Sequence, residues 1–295
     1  MTSAYHPAKI GDIIYSLPAV HRRGGVSTYL IKRPEVAKYL KRLFEVQPYI
    51  NTVAQEDNPP AGVTIDFSDY QSFYRLMLRC DLISLNCVVA GVRTHQFPLK
   101  ISSVSLSSTH VKYMNTSIDL DEHRDLQMWR PNQRWLTNIE PIHKSDIIIN
   151  LTERYHDWNS EKHNPVFHFD YTLLKDYDCG FIGLDHEYDL FCDRYGFKPK
   201  RILIEDGLET AQYIAGSKLF VGAASSAKAI AEGLKHPTLM EISKDWPDDL
   251  PKHSHGYYHI NKKLIEYYLN NDTPVSKYPE CEIKEEKEGL EEFFS

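Results

Sequence analysis

Two residues near the N-terminus, Gly11 and Asp12, stand at the start of an apolar stretch that is expected to be helical until Pro18. Glycine permits a close approach to the backbone. An aspartate at this point can cap the helix, which is the more frequent role of such a residue. It can also accept a proton from a hydroxyl group, provided that another part of the chain delivers an electrophile. The local pattern alone leaves both roles open.

A second segment that could carry chemistry, residues 218–242, has the pattern of a strand, a turn of small residues, a helix and another strand. Gly222 and the two alanines after it leave room at the end of the first strand. Ser225 and Ser226 open the helix, where free N–H groups attract phosphate. Glu232 lies about two turns into the helix, where its carboxylate could hold a ribose diol. The alternatives are a serine that caps the helix and a glutamate that faces solvent.

A third segment, residues 150–156, follows an apolar strand and contains Thr152 and Arg154. Ligands of open α/β sheets bind beyond the carboxyl ends of the strands. An arginine at this point is therefore well placed to bind a diphosphate, and we assign both residues to a predicted nucleotide site. An arginine exposed on the surface is the alternative.

The elements that would position these segments alternate between strands and helices. Apolar runs predict strands, and amphipathic stretches between them predict helices. This alternation implies right-handed crossovers and a parallel sheet, so the second half of the chain is expected to form a Rossmann-like lobe. The first half has a similar but less regular series, with a boundary near residues 134–144. The predicted strands are 26–32, 63–67, 147–149, 179–184, 201–205, 218–222 and 238–242, and the predicted helices include 34–47, 187–195, 208–215 and 225–234.

Length and composition are those of a globular protein. The chain has 295 residues, of which 42% are hydrophobic and 25% are charged, and these are ordinary values. Neither a leader peptide nor a run of about 18 apolar residues is visible, so we expect a cytoplasmic protein without a membrane span. The five cysteines are scattered and are expected to be reduced thiols: Cys80, Cys87, Cys179, Cys192 and Cys281.

Several motifs with strong functional meaning are absent from the sequence. The chain has no HExxH, and the spacing of His253, His255 and His259 does not suggest a metal site. We therefore expect no protein-bound metal. The chain also lacks GxGxxG, GxxxxGK[ST] and GxSxG, which removes the main motif arguments for a dehydrogenase, a P-loop enzyme or a hydrolase.

Charge is unevenly distributed along the chain. The formal net charge of −7 argues against indiscriminate binding of nucleic acid. However, basic residues are concentrated between Arg22 and Arg42, with Glu35 as the single acidic residue, whereas glutamate dominates residues 280–292. The basic stretch is either a solvated helix face or a surface for a polyanion.

Several of these segments together resemble a known family. GDIIYSLPAV, residues 11–20, resembles the N-terminal motif of the heptosyltransferase-like glycosyltransferases with the two-lobed GT-B fold. Residues 209–234, ETAQYIAGSKLFVGAASSAKAIAEGL, resemble the donor-binding segment of that superfamily. HRRGGVSTYLIKRP and EVQPYI, residues 21–34 and 45–50, are similar to its small phage and environmental members. The matches cover both halves of the chain in the expected order.

The resemblance implies an α/β fold of two facing Rossmann-like lobes, with a C-terminal helix that returns to the first lobe. Residues 1–140 would form the acceptor-binding lobe and residues 141–255 the lobe that binds a nucleotide sugar. Residues 256–295 would form the returning helix and an acidic tail.

The resemblance also implies an inverting transfer of a sugar from a nucleotide-sugar donor to an acceptor hydroxyl, without an obligatory cofactor. Asp12 matches the catalytic base of the family. Gly11, Arg22 and Arg23 would lie on the acceptor side. The acceptor could be a polyanion, such as modified phage DNA or a phosphorylated glycan.

On the donor side, the diphosphate would be bound by Ser225, Ser226 and Arg154 and the ribose by Glu232. The family usually has Asp-Thr-Gly after the strand and a histidine in the next helix, whereas this chain has Ala-Ser-Ser at 224–226 and an alanine at 229. A heptose donor is therefore not implied. Further residues assigned to the donor site are Thr152, Gly222 and Lys228.

Two other functions remain compatible with the sequence. One is a protein that binds a nucleotide sugar but has lost the transfer activity, which the missing Asp-Thr-Gly and histidine suggest. The other is a GT-B-fold epimerase that acts on a nucleotide sugar. The donor sugar, its base and the oligomeric state are not indicated by the sequence.

Overall fold

The computed structural model describes residues 2–68, 134–152, 170–241, 256–257 and 262–270. Within these ranges the chain forms two parallel sheets with helices against them. The helix predicted after Ser68, the histidines at 253, 255 and 259, and the acidic tail lie outside the described residues.

The first sheet has four parallel strands in the order β3-β2-β1-β4. Two helices accompany it. Along the chain its elements are β1 (Ser3–His6), α1 (Ile10–Arg22), β2 (Val26–Ile31), α2 (Pro34–Glu45), β3 (Ile50–Gln55) and β4 (Ile65–Asp66).

Helix α2 forms as the sequence predicts. Pro34 occupies its first turn, where the absent N–H costs nothing. Its apolar residues recur at helical spacing and are all buried, whereas Lys38 and Lys41 face solvent. The buried residues are Val36, Ala37, Leu40, Leu43 and Phe44.

Helix α1 differs from the expectation that it ends at Pro18, because it continues to Arg22. A proline inside a helix removes one backbone hydrogen bond and is unfavourable in isolation. Here every residue from Ile13 to Val20 is buried. The burial of apolar side chains along this segment therefore outweighs the local cost of the proline.

The second sheet has six parallel strands in the order β10-β9-β8-β5-β6-β7. This is the strand order of a doubly wound dinucleotide-binding sheet. Its elements are β5 (Ile147–Asn150), β6 (Cys179–Phe181), α3 (Asp185–Tyr195), β7 (Lys200–Arg201), α4 (Gly207–Ala215), β8 (Leu219–Gly222), α5 (Ser226–Leu234), β9 (Thr238–Met240), β10 (Gly256–Tyr257) and α6 (Lys262–Asn270).

The two lobes pack directly on each other through their helices. Helix α1 packs against α5, and α2 packs against α4. One continuous apolar core includes Leu17 and Leu40 of the first lobe together with Leu208 and Ile230 of the second. The predicted fold class, α/β with two facing Rossmann-like lobes, is confirmed.

The C-terminal helix differs from the expectation that it returns to the first lobe. Ile265 and Tyr268 of α6 are buried in the core of the second lobe, together with Val221 of β8. The Lys218 ammonium also donates to the Leu269 carbonyl at a distance of 3.1 Å. Within the described residues, α6 therefore extends the second lobe.

None of the helices in the described ranges has the length and apolar character that crossing a membrane requires. Two of the five cysteines are described, and both Cys179 and Cys192 are buried free thiols. Burial raises the pKa of the Cys179 thiol to about 12. This thiol is therefore protonated, and hence a poor nucleophile, at neutral pH.

Candidate functional site

The order of the second sheet creates a crevice where the direction of chain progression reverses, between β5 and β8. In open α/β sheets this switch point, at the carboxyl ends of the strands, is where ligands bind. Gly222 ends β8 at this point. A Cβ atom on Gly222 would lie 2.3 Å from the carbonyl oxygen of Asn150 on β5. The glycine therefore allows the two strands to lie side by side.

The loops that leave β5 and β8 contact each other at the crevice. The Thr152 hydroxyl donates to the carbonyl oxygen of Ala224 at 3.3 Å. The Asn150 side-chain amide donates to the Ile182 carbonyl at 2.7 Å, beyond the end of β6. Thr152 thus lies at the predicted nucleotide site, and Asn150 braces the same edge. Arg154 lies outside the described residues.

Helix α5 begins at this crevice. Ser225 is its N-cap, and the Ser225 hydroxyl accepts a hydrogen bond from the Lys228 N–H at 3.1 Å. The N–H groups of Ser226 and Ala227 precede the first hydrogen bonds of a helix, and the dipole places partial positive charge there. The start of α5 is therefore suited to an anion such as a diphosphate.

Helix α1 begins beside the start of α5. A Cβ atom on Gly11 would lie 3.9 Å from the Ser225 carbonyl oxygen. The N-cap of α1 is Lys9, so Asp12 is the third residue of the helix rather than its cap. Both Gly11 and Asp12 are half-buried. The structure thus brings together the two segments that the sequence marks as the base and the phosphate site.

Lys228, predicted to contact the donor, lies between the lobes. Its side chain is only 3% exposed, and its ammonium donates to the Tyr15 hydroxyl on α1 at 2.6 Å. Tyr15 is also buried and is one turn beyond Asp12. In this conformation Lys228 therefore connects the two helices that form the site.

Glu232 is 1% exposed, which contradicts the solvated alternative. Its carboxylate oxygen lies 3.3 Å from the Lys235 ammonium, and the ammonium lies 4.2 Å from the centre of the Trp135 ring. The sequence predicts a ribose contact for Glu232, but this conformation encloses the carboxylate. The reason is that every residue of α5 from Ala227 onward is buried.

Arg22 and Arg23 were expected beside the acceptor. Helix α1 ends at Arg22, ten residues or about 15 Å along its axis from Asp12, and Arg23 follows as the C-cap. The backbone of both residues therefore lies at the far end of α1 from Asp12. Two other cations, Lys32 and Arg33, are exposed and follow β2 at the edge of the sheet where α1 begins. Lys32 ends the predicted strand 26–32 and Arg33 follows it, and this position at the carboxyl end of a strand could have identified both as site residues from the sequence.

A group that could hold a metal ion occurs among the described residues, although the sequence predicts none. His143, Asp146 and Asp178 have potential ligand atoms within 4.8 Å of one another. They precede β5 and β6, which places them at the opposite edge of the second sheet from Asn150 and Gly222. The Lys218 ammonium lies 3.5 Å from the Asp146 carboxylate and competes for it. This cluster is thus separate from the site between α1 and α5.

No family model and no curated protein matches the chain. Solved structures of glycosyltransferases are similar to it. Escherichia coli heptosyltransferase WaaC with ADP is 12% identical with a TM-score of 0.47, and the match covers 99% of each chain. E. coli ADP-heptose LPS heptosyltransferase II is 13% identical with a TM-score of 0.44, covering 92% of this chain and 98% of that one. The glycosyltransferase TibC from enterotoxigenic E. coli H10407 is 10% identical with a TM-score of 0.48, covering 88% and 61%.

Proposed function

We propose that the protein is an inverting glycosyltransferase whose reaction takes place where α1 and α5 begin. The observation that carries this proposal is the proximity of Gly11 to the Ser225 carbonyl oxygen, which would lie 3.9 Å from a Cβ atom placed on the glycine. A potential base and a potential phosphate site on different lobes are thereby adjacent. Each of them alone has an ordinary structural explanation, but their juxtaposition favours a shared ligand.

The donor would bind the second lobe at the crevice between β5 and β8. Its diphosphate would accept hydrogen bonds from the first N–H groups of α5, at Ser226 and Ala227. The Thr152 hydroxyl lies at the same edge and would donate to the diphosphate once its single proton turns away from the Ala224 carbonyl. The helix terminus would stabilise the negative charge that develops on the departing nucleoside diphosphate.

The acceptor would approach from the first lobe. Its hydroxyl oxygen attacks the anomeric carbon and forms the new glycosidic bond. The bond between that carbon and the diphosphate oxygen breaks, and Asp12 takes the hydroxyl proton. A single displacement of this kind inverts the anomeric configuration.

A panel of nucleotides and nucleotide sugars tests the donor part of the proposal. A ligand that binds only the native state raises the melting temperature. We expect a nucleoside diphosphate and at least one of its sugar derivatives to do so. No response to any nucleotide would contradict the proposal. The best ligand is then incubated with and without candidate acceptors, and a new sugar nucleotide formed from donor alone would indicate an epimerase instead.

The acceptor is proposed to be anionic, because Lys32 and Arg33 are exposed at the edge of the first sheet where α1 begins. The candidates are modified phage DNA and a phosphorylated glycan. Binding of duplex DNA is measured as a function of salt, because phosphate contacts weaken as salt rises. Absence of binding at low ionic strength would exclude DNA and leave the phosphorylated glycan for transfer assays.

A further inference from the structure

A single residue, Lys228, is tied to both helices that begin at the site. Its backbone N–H donates to the Ser225 hydroxyl at 3.1 Å, and this bond closes the first turn of α5. Its side-chain ammonium donates to the Tyr15 hydroxyl at 2.6 Å on α1. These two hydrogen bonds of Lys228 therefore connect the start of α5, where the phosphate site lies, to α1, which carries Asp12.

Tyr15 lies on the same helix as the proposed base, Asp12. Residues three apart on a helix lie on the same face, so Tyr15 follows Asp12 by one turn on that face. Tyr15 is 6% exposed and Lys228 is 3% exposed. A charged hydrogen bond shielded from water is stronger and more directional than one at the surface. The bond is therefore suited to fixing one helix relative to the other.

We infer that Tyr15 and Lys228 are positioning residues that hold Asp12 at the correct distance from the phosphate site on α5. This inference rests on the proposed function. It also gives Lys228 a different role from direct binding of the donor. Misplacing a reacting group by about 1 Å can reduce a rate by about 100-fold, so such a contact has kinetic consequences.

The test compares Tyr15→Phe and Lys228→Met with the wild-type protein. Tyr15→Phe removes only the hydroxyl, and Lys228→Met removes the charge and the N–H donors while keeping a side chain of similar length. We expect each to reduce kcat for sugar transfer about 10- to 100-fold. The Kd for the nucleoside diphosphate should change less than about twofold, since a positioning role leaves donor binding to other groups. The double variant should be no slower than the slower single variant, because the two residues act as one pair.

Arg42→Met is the matched control. It makes the same kind of change as Lys228→Met in a contact across the same boundary between the lobes, the 2.9 Å ion pair with Asp206 that joins α2 to α4. We expect kcat to remain within about twofold of the wild type. Circular dichroism and melting temperature establish that every variant is folded at the assay temperature.

Three outcomes would overturn the inference but not the proposed function. An unchanged kcat in Tyr15→Phe, together with a large loss in Asp12→Asn, would remove the positioning role and leave the proposed function intact. A large rise in nucleotide Kd in Lys228→Met but not in Tyr15→Phe would assign Lys228 to donor binding. Equal losses of kcat in Arg42→Met would show that the contact between Tyr15 and Lys228 only stabilises the boundary between the lobes in general. Absence of transfer in the wild type with every donor that binds would instead overturn the proposed function and the inference with it.

Discussion

Among the described residues, two pairs of helices pack against each other across the boundary between the lobes, and their polar contacts differ. Helices α1 and α5 meet at their N-terminal ends and are joined by the buried contact between Lys228 and Tyr15. Helices α2 and α4 are joined by an ion pair of 2.9 Å between Arg42 and Asp206, in which the arginine side chain is 55% exposed. The first pair combines burial, charge and two helix termini. The second pair has the features of an ordinary stabilising interface.

The largest expected effect concerns the buried ion pair of α5. Glu232→Gln removes the buried carboxylate that lies 3.3 Å from the Lys235 ammonium, and the lysine side chain is 3% exposed. Loss of one partner of a buried pair costs about 3 to 5 kcal/mol. We therefore expect the free energy of unfolding, measured in urea, to fall by about that amount. Stability equal to the wild type, together with weaker binding of nucleotide, would instead support the predicted contact of Glu232 with the ribose.

The two N-caps provide a matched comparison of the helix pairs. The Ser225 hydroxyl caps α5, whereas the Asp206 carboxylate caps α4 through the N–H groups of Leu208 and Glu209. Replacing either by alanine should reduce the free energy of unfolding by about 1 kcal/mol. Only Ser225→Ala should also weaken nucleotide binding in calorimetry. An equal loss of affinity in Asp206→Ala would abolish the distinction between the two helix starts.

The pH dependence of stability tests the contact of Tyr39 between α2 and α4. Burial raises the pKa of Tyr39 to about 12, although its hydrogen bonds to Thr210 and Ser226 oppose the shift. The unfolded chain loses this proton near pH 10, so the stabilisation is complete below that pH and disappears as pH rises toward 12.

Unfolding in urea at pH 9 and pH 11 measures this effect. Between these values the wild type should lose about 1 kcal/mol more stability than Tyr39→Phe. Identical losses of stability in the two proteins would show that the pKa of Tyr39 is the same in the folded and the unfolded chain.

The smallest effect is expected for the exposed ion pair. Arg42→Met should reduce the free energy of unfolding by less than about 1 kcal/mol, because the pair is partly solvated and screened by salt. Transfer and nucleotide affinity should not change. A loss of activity comparable to that of Tyr15→Phe would show that both helix pairs align the site.

The sequence predicts the second lobe more fully than the first. Its strands are buried on both faces and appear as continuous apolar runs, such as 147–150 and 219–222. By contrast, β1 and β3 were not predicted. β1 has only four residues, and β3 is an edge strand in which only two of six residues are buried. Neither carries a clear hydrophobic pattern.

The parts of the candidate site also differ in how far the sequence could predict them. Gly11, Asp12 and Ser225 could be found from the sequence because a helix start is a local feature. The bond between Lys228 and Tyr15 could not, since it joins residues that are 213 positions apart. The burial of Glu232 was also hidden, because it depends on what covers α5 and not on the helix itself.

The most direct test of the account is the rate of sugar transfer by Asp12→Asn, with the donor that the nucleotide panel identifies. Asparagine keeps the shape of the side chain but cannot accept the proton. If Asp12 is the base, kcat falls by about 10²- to 10⁴-fold, while the Kd for the nucleoside diphosphate is unchanged. Transfer at a rate close to that of the wild type would contradict the role of Asp12 as the base.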